Sequence, residues 1–369
     1  MSIYLDWAAT APLCEAAKKA IIEHLDDFGN PSSAHELGRQ ARVLIEDARG
    51  KIAKCINAEP EEIYFTSGGS EANTWALNQY SSIASLFEHH SAKPDIYLPV
   101  HNIRKPVSSC DSGIVDPKLY AGIDHWTTDL ISCMYVNNEI GTIQPIKELA
   151  EFVHDKKMWF HTDAVQALPH IRIDVKNLNC DMLSASGHKF GSLKGVGFLY
   201  IKKDGPTIDP LINGGKQEGG LRPGTENVLG IISMAAALED TAEHMDERNA
   251  HVKYLRDKML DKLLQIPNSY LNGSLENRVS SNINIRFSGV SGARLVALCS
   301  LYGIYISSGS ACNEGVHIPS HVLKAIGLSD EEALSSIRIT IGHTNTEEEI
   351  DKATNIITKL VERIRSGNE

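Results

Sequence analysis

The chain has 369 residues, 42% of them apolar, with 36 basic against 47 acidic side chains and a formal net charge of −11. That length accommodates a sizeable core and two domains, and an acidic balance without a basic block argues against nucleic acid as a main partner. No apolar run approaches the roughly 18 residues of a membrane-spanning helix, and the first residues lack the basic and long apolar regions of a signal peptide.

Seven cysteines, at 14, 55, 110, 133, 180, 299 and 312, are scattered without a CxxC pair. The odd count and the spacing indicate neither a disulfide framework nor a four-thiolate zinc site. No metal is expected, and a reducing cytoplasm is the expected compartment.

In chain order, residues 4–12 read as an extended arm ending in a turn, and 15–26 as a short helix. Ser33 with Glu36 forms a capping-box pattern. The helix it opens would present Leu37, Ala41, Leu44, Ala48, Ile52 and Ile56 on one face and stop at Asn57. From residue 62 the pattern becomes strand–turn–helix. Strands are predicted at 63–65, 130–135, 159–162, 182–185 and 197–201, with helices at 72–79 and 146–157. Such alternation implies a mainly parallel sheet covered on both faces, with ligands gathered at the carboxyl ends of its strands. A long helix over 229–264 follows a Gly-rich segment and bridges to a smaller mixed region. That region has a strand at 279–287, a helix at 292–302, a strand at 337–341 and a final helix to 365, capped by Thr346 and Glu349.

Several loops carry chemistry-bearing side chains. The turn 66–71, Thr-Ser-Gly-Gly-Ser-Glu, lies between a strand and a helix, and its glycines allow an anion close to the helix N–H groups; a tight turn without a ligand fits equally. Asn137 and Asn138 follow a strand, as turn residues or as donors to a ligand. Asp163 ends a strand, either as a helix cap or as the partner of a pyridinium nitrogen. Lys189 lies in Ser-Ala-Ser-Gly-His-Lys-Phe-Gly after an apolar strand. It is either a surface lysine in a Gly-rich turn or a Schiff-base lysine holding an aldehyde cofactor. Residues 222–227, Arg-Pro-Gly-Thr-Glu-Asn, form a solvated turn or a phosphate contact that reaches a neighbouring subunit. Cys312 sits in a small polar loop, either as an incidental surface cysteine or as a reactive thiol, whose reactivity follows its thiolate fraction. Arg338 lies inside an apolar strand and needs an anionic partner, an internal carboxylate or that of a substrate.

Taken in order, the segments YLDWAATAP, FGNPSSAH, FTSGGSEAN, VNNEIGTIQP, HTDAVQ, SGHKFGSLKGVGFLY, LRPGTEN, SSGSAC and SSIRITIG resemble the NifS-like cysteine desulfurases of the class-V aminotransferase superfamily. The likeness runs from Tyr4 almost to the C-terminus and is weakest between about residues 80 and 128. The SSGSAC loop is similar to that of the class I branch. The resemblance implies the pyridoxal 5'-phosphate (PLP) fold type I. This is an α/β large domain with a mainly parallel seven-stranded sheet (residues 15–255), a smaller α+β domain carrying the thiol loop (256–369), and an N-terminal arm (1–14) packing with the small domain.

The same resemblance assigns roles. Lys189 would be the Schiff-base lysine and Cys312 the nucleophile. Asp163 would pair with the pyridine nitrogen, while Gln166 and Asn138 bond the ring oxygen. Gly69, Ser70, Ser186 and His188 would hold the phosphate, with Thr225 contributed by the other subunit of a homodimer. Arg338, helped by Asn30, would bind the substrate carboxylate. Glu88-His89 fits the family's Glu-His pair, which places His89 over the ring; other placements put His101 or Arg104 there. The implied reaction converts L-cysteine to L-alanine, leaving a persulfide on Cys312 for a protein sulfur acceptor in iron–sulfur assembly or tRNA thiolation. Alternatives are a selenocysteine lyase, another class-V aminotransferase or lyase, and a PLP-binding paralogue that serves as a scaffold.

Overall fold

The computed structural model describes residues 2–92, 96–97, 112–123, 125–126, 128–308 and 318–367. His101, Arg104, Cys110 and Cys312 lie outside the described residues.

The larger core is built on a seven-stranded sheet. Its strands are β2 (Ile63–Thr66), β3 (Ser82–Ala84), β4 (Ile96–Tyr97), β5 (Leu130–Ser132), β6 (Trp159–Asp163), β7 (Met182–Ser186) and β8 (Gly197–Ile201), in the order β2-β8-β7-β6-β5-β3-β4. Only β8 runs against its neighbours. Side chains alternate between the two faces, as the pleat dictates. Leu183, Ala185, Phe198 and Tyr200 enter one apolar cluster with α2 (Glu36–Cys55), whereas Met182, Leu199 and Ile201 enter another with Trp75 and Leu77 of α3 (Gly69–Leu77). Because both faces are covered, β7 and β8 are buried along their whole length.

Three local predictions change in the folded chain. The Ser33–Glu36 capping box does not form. Ser33 N–H is taken by Asn30 O in a turn at 2.9 Å, and His35 caps α2 instead, its Nδ1 accepting from Gly38 N at 3.3 Å. The buried stripe of α2 is Ala41, Ile45, Ala48 and Ile52, one position round from the predicted Leu44, while Leu37 is exposed. Asn57 does end the helix, in the left-handed region with φ +57°. Strand 130–135 closes at Ser132, yet Cys133 N and Tyr135 N still bond His161 O and Asp163 O, at 3.1 and 2.9 Å, as the chain peels away.

The long helix α6 (Val228–Leu264) connects two cores. Its first half places Ile231, Met234 and Leu238 against the large sheet, and its second half places Val252, Leu255, Met259 and Leu263 in a separate cluster. The second core rests on a three-stranded antiparallel sheet of β9 (Ser269–Leu271), β10 (Asn282–Phe287) and β12 (Ser336–Thr340). The last helix, α10 (Glu347–Arg365), packs there. Its predicted cap is present, with Thr346 Oγ1 and the Glu349 carboxylate each accepting the other's backbone N–H at 3.2 Å. The N-terminal arm begins as β1 (Ile3–Tyr4), parallel to β11 (Ile304–Tyr305) beside this second core. It then crosses to the large sheet, where Ala11 N donates to His188 O at 2.9 Å. Gly342 lets the arm pass, since a Cβ there would lie 1.8 Å from the Trp7 ring. Among the described residues, no helix is long and apolar enough to cross a membrane.

Candidate active site

A cavity of about 330 Å3 opens beyond the carboxyl ends of the co-directional strands, where such sheets bind ligands. The start of α3 contributes Gly69 and Ser70, the loop after β3 His89, His90 and Ser91, and the loop after β5 Asn138 and Glu139. Asp163, Gln166, Ser186, His188 and Lys189 come from the ends of β6 and β7, and Arg338 from β12. Ten residues singled out from the sequence therefore converge within one protomer: Gly69, Ser70, His89, Asn138, Asp163, Gln166, Ser186, His188, Lys189 and Arg338.

Three do not. Thr225 lines a separate cleft with Ser67, Arg222 and Glu226. Asn30 is exposed, its Oδ1 accepting from Ser32 N at 2.9 Å. Cys312 lies outside the described residues, but the chain on either side of its segment is tethered at the cavity. On one side, Ser307 N donates to Arg338 O at 3.1 Å. On the other, His321 lines the cavity and its Nε2 lies 3.0 Å from Glu88 O.

Backbone geometry brings the start of α3 close to one end of the cavity. Gly68 has φ +152°, and a Cβ on Gly69 would meet Val165 Cγ2 at 2.6 Å, so only glycine lets the start of α3 approach this closely. On the sheet side a Cβ on Gly197 would meet Ala185 O at 2.4 Å and Gly68 Cα at 2.7 Å, which explains the glycine that opens β8. Nearby, burial and the charges of Lys189 and Lys194 push His188 down to about 4, so its ring is neutral at pH 7. Its Nδ1 lies 3.1 Å from Thr10 Oγ1.

At the other end Asp163, 3% exposed, accepts from Asn73 Nδ2 at 2.6 Å and from Val165 N at 2.9 Å. Lys189 Nζ donates to the carbonyls of Ala8 and Ala9 at 2.7 and 2.9 Å, and Gln166 Nε2 donates to Ala8 O at 2.9 Å. The arm thus positions both side chains. Arg338 is buried, and its anionic partner in the fold is internal: Nη2 bonds Asp6 Oδ1 at 2.7 Å, while Nη1 bonds Asn138 O at 3.0 Å. Among the described residues, two buried polar atoms at the cavity lack a partner, Arg338 Nε and Asn73 Oδ1. Among the described residues no group of three or more His, Cys, Asp or Glu side chains is placed to hold a metal ion.

Sequence reading missed Asn73, Ser91 and the arm carbonyls. Asn73 was within reach, since it lies three residues after Ser70 on α3 and shares its face. Glu88 was seen only as the neighbour of His89. Its carboxyl is fully buried, accepts from Ser85 Oγ at 2.6 Å and Met134 N at 2.8 Å through Oε1, and leaves Oε2 without a partner. Burial pushes it up to about 7, with the Asp163 charge adding to the rise. Because the folded value is above the unfolded one of 4.5, its protonated form stabilises the fold at low pH. That contribution fades as pH rises from about 4.5 through 7, by on the order of 3 kcal/mol in all. Glu88→Gln keeps the neutral shape and should remove this slope. Urea denaturation across that range should find the variant equal to the parent at acid pH and more stable above neutrality.

Comparison with known proteins identifies relatives of the whole chain. The family model described as Aminotransferase class-V matches residues 3–353. A curated relative named Cysteine desulfurase IscS, from Methanosarcina thermophila, is 40% identical and aligns over 99% of this chain and 93% of its own length. A solved structure titled NifS-like protein superposes with a TM-score of 0.87 at 33% identity, covering 98% of this chain and 100% of its own. Another, titled SspA in complex with cysteine, has a TM-score of 0.78 at 31% identity and covers 94% and 100%.

Proposed function

The chain belongs to the class-V aminotransferase family, and from that premise we propose that it is a PLP-dependent cysteine desulfurase, taking sulfur from L-cysteine and releasing L-alanine. The observation that carries this reading is the convergence of Lys189, Asp163 and a glycine-lined helix start on one cavity, with the chain flanking Cys312 tethered at its rim.

The donor set fits pyridoxal 5'-phosphate. An anion-type helix start with Ser70, Ser186 and a neutral His188 suits a phosphate. A buried carboxylate, Asp163, suits a ring nitrogen, and the amine of Lys189 suits an aldehyde. Asn138 and Gln166, which line the same cavity, would hold the ring's oxygen. When bound, the cofactor supplies an electron sink for bond breaking at the substrate Cα. The chain's own residues do the rest. Asp163, which accepts from two N–H groups, would hold a proton on its ring partner. Lys189, released from the arm carbonyls, takes the substrate's Cα proton and returns it to carbon.

Cys312, as the thiolate, attacks the substrate sulfur. The substrate C–S bond breaks, an S–S bond forms on Cys312, and the carbon skeleton takes up a proton and leaves as alanine. Arg338 binds the substrate carboxylate through the donor capacity left at Nε or by exchanging its Asp6 partner. The persulfide passes to a protein acceptor. Thr225, which lies outside its own protomer's cavity, serves the partner's in a homodimer.

The decisive experiment incubates the PLP-loaded protein with L-cysteine and a thiol, measures alanine and sulfide, and records the visible spectrum. Equal amounts of alanine and sulfide are expected. A yellow protein that produces neither would reduce the chain to a cofactor-binding scaffold. Faster turnover of L-selenocysteine, or amino transfer to a keto acid, would move it to another branch of the family.

A further inference from the structure

At the carboxylate end of the cavity a chain of hydrogen bonds leads from Asp163 to His89. Asp163 Oδ1 accepts from Val165 N at 2.9 Å, and Oδ2 accepts from Asn73 Nδ2 at 2.6 Å. The same Asn73 nitrogen lies 2.9 Å from Ser91 Oγ. Ser91 Oγ in turn lies 2.7 Å from His89 Nδ1, and the Ser91 backbone N–H donates to that nitrogen at 3.2 Å.

The positions of the hydrogens follow from the chemistry of each group. An ionised carboxylate only accepts, so Asn73 must turn its NH2 toward Asp163. The flipped amide would set two acceptor oxygens 2.6 Å apart. That orientation leaves Asn73 Oδ1 buried without a partner, a cost the fold accepts to keep the amide this way round. One amide hydrogen goes to Asp163 and the other to Ser91 Oγ. Having accepted there, Ser91 directs its own hydroxyl hydrogen at His89 Nδ1. Nδ1 therefore receives an N–H and an O–H donor, and the ring's proton is left on Nε2.

We propose that Asn73 and Ser91 relay the charge of Asp163 into the tautomer of His89, holding it neutral with its proton on Nε2, so that His89 serves as a hydrogen-bond donor and not as a base at that nitrogen. A second proton can enter only at Nδ1, where it meets both Ser91 donors. Burial acts in the same direction, keeping His89 below its ordinary value; the nearby charges of Lys189, His90 and His321 assist and that of Asp163 opposes. Asn73 and Ser91 are positioning residues, since they act through His89. The catalytic meaning of the relay rests on the function proposed above, but the tautomer itself is measured without turnover, so the two can fail separately.

The test is 15N NMR of the full chain labelled at histidine, recorded with and without pyridoxal 5'-phosphate. The His89 signals are assigned by difference from His89→Gln. The parent should show an unprotonated Nδ1 and a protonated Nε2 at neutral pH. In Ser91→Ala, which loses one of the two donors, the Nδ1–H fraction should rise roughly ten-fold, the scale of one net hydrogen bond, and the His89 titration midpoint should move up. Ser91→Thr, which keeps the hydroxyl, should restore the parent's tautomer and midpoint. Asn73→Ala should shift the tautomer in the same direction as Ser91→Ala. A parent protonated at Nδ1 overturns the proposal, and so does a tautomer ratio unmoved by either alanine variant in a folded protein.

Discussion

Lys189→Ala should lose the visible absorbance band of bound pyridoxal 5'-phosphate and at least about 10³-fold in kcat, within the range a positioned acid–base group contributes. The loss has two parts, because the same amine anchors the cofactor and moves the substrate proton. It also leaves the Ala8 and Ala9 carbonyls without their Lys189 donor, so some loss of stability accompanies it. Lys189→Arg separates the effects. The guanidinium can still donate to the arm carbonyls, so the fold and the arm should be retained, but it cannot condense with an aldehyde at neutral pH, and band and turnover should still be lost. Absorbance titration with the cofactor beside a urea denaturation curve distinguishes these outcomes. A Lys189→Arg protein that keeps both band and activity would remove Lys189 from its role.

Cys312→Ala should behave in the opposite way, keeping the cofactor band and the stability of the parent while sulfide release falls by at least about 10³-fold. An external thiol at millimolar concentration would then replace a tethered one whose effective molarity is on the order of 10⁵ M or more. The readout is trapping of the protein-bound persulfide by alkylation and mass measurement of the 312 peptide, together with sulfide release under thiol. The physical basis is the tethering of the flanking chain. Ser307 is joined to Arg338 on one side and Ser320 Oγ donates to Glu139 Oε2 at 2.5 Å on the other, so both ends of the segment start at the cavity rim. Sulfide release that survives the substitution would show that another acceptor takes the sulfur.

Most of the sheet and most of the site were legible in the chain, for identifiable reasons. The strands of the large sheet are short apolar runs bounded by glycine and polar turns, and β7 and β8 are buried on both faces, so their sequence is apolar throughout. Lys189, Asp163 and Arg338 stood out because each is a charged residue in an apolar or glycine-rich setting. The cap of α10 was readable because both of its partners lie within four residues. The Ser33 cap was misread because the same hydroxyl residue also suits a turn, and the 30–33 turn took its N–H first. The stripe of α2 was displaced by one residue because Leu44 and Ile45 are both apolar, and only packing against the sheet and α6 selects Ile45.

Residue types and order alone therefore determined the α/β class, the family and most of the charged and polar residues that line the cavity, because backbone preference, strand burial and glycine requirements act over a few neighbouring residues. The partner choices were decided only by the folded chain. Arg338 could have met any anion, and it meets Asp6, more than three hundred residues away in sequence. Lys189 is held by two carbonyls of an N-terminal arm 181 and 180 residues earlier in the sequence. Asn73 acquires its meaning only where α3, β6 and the loop after β3 come together. Hydrogen bonds and ion pairs act over about 3 Å in space, and no local pattern records which distant segments folding will bring within that reach.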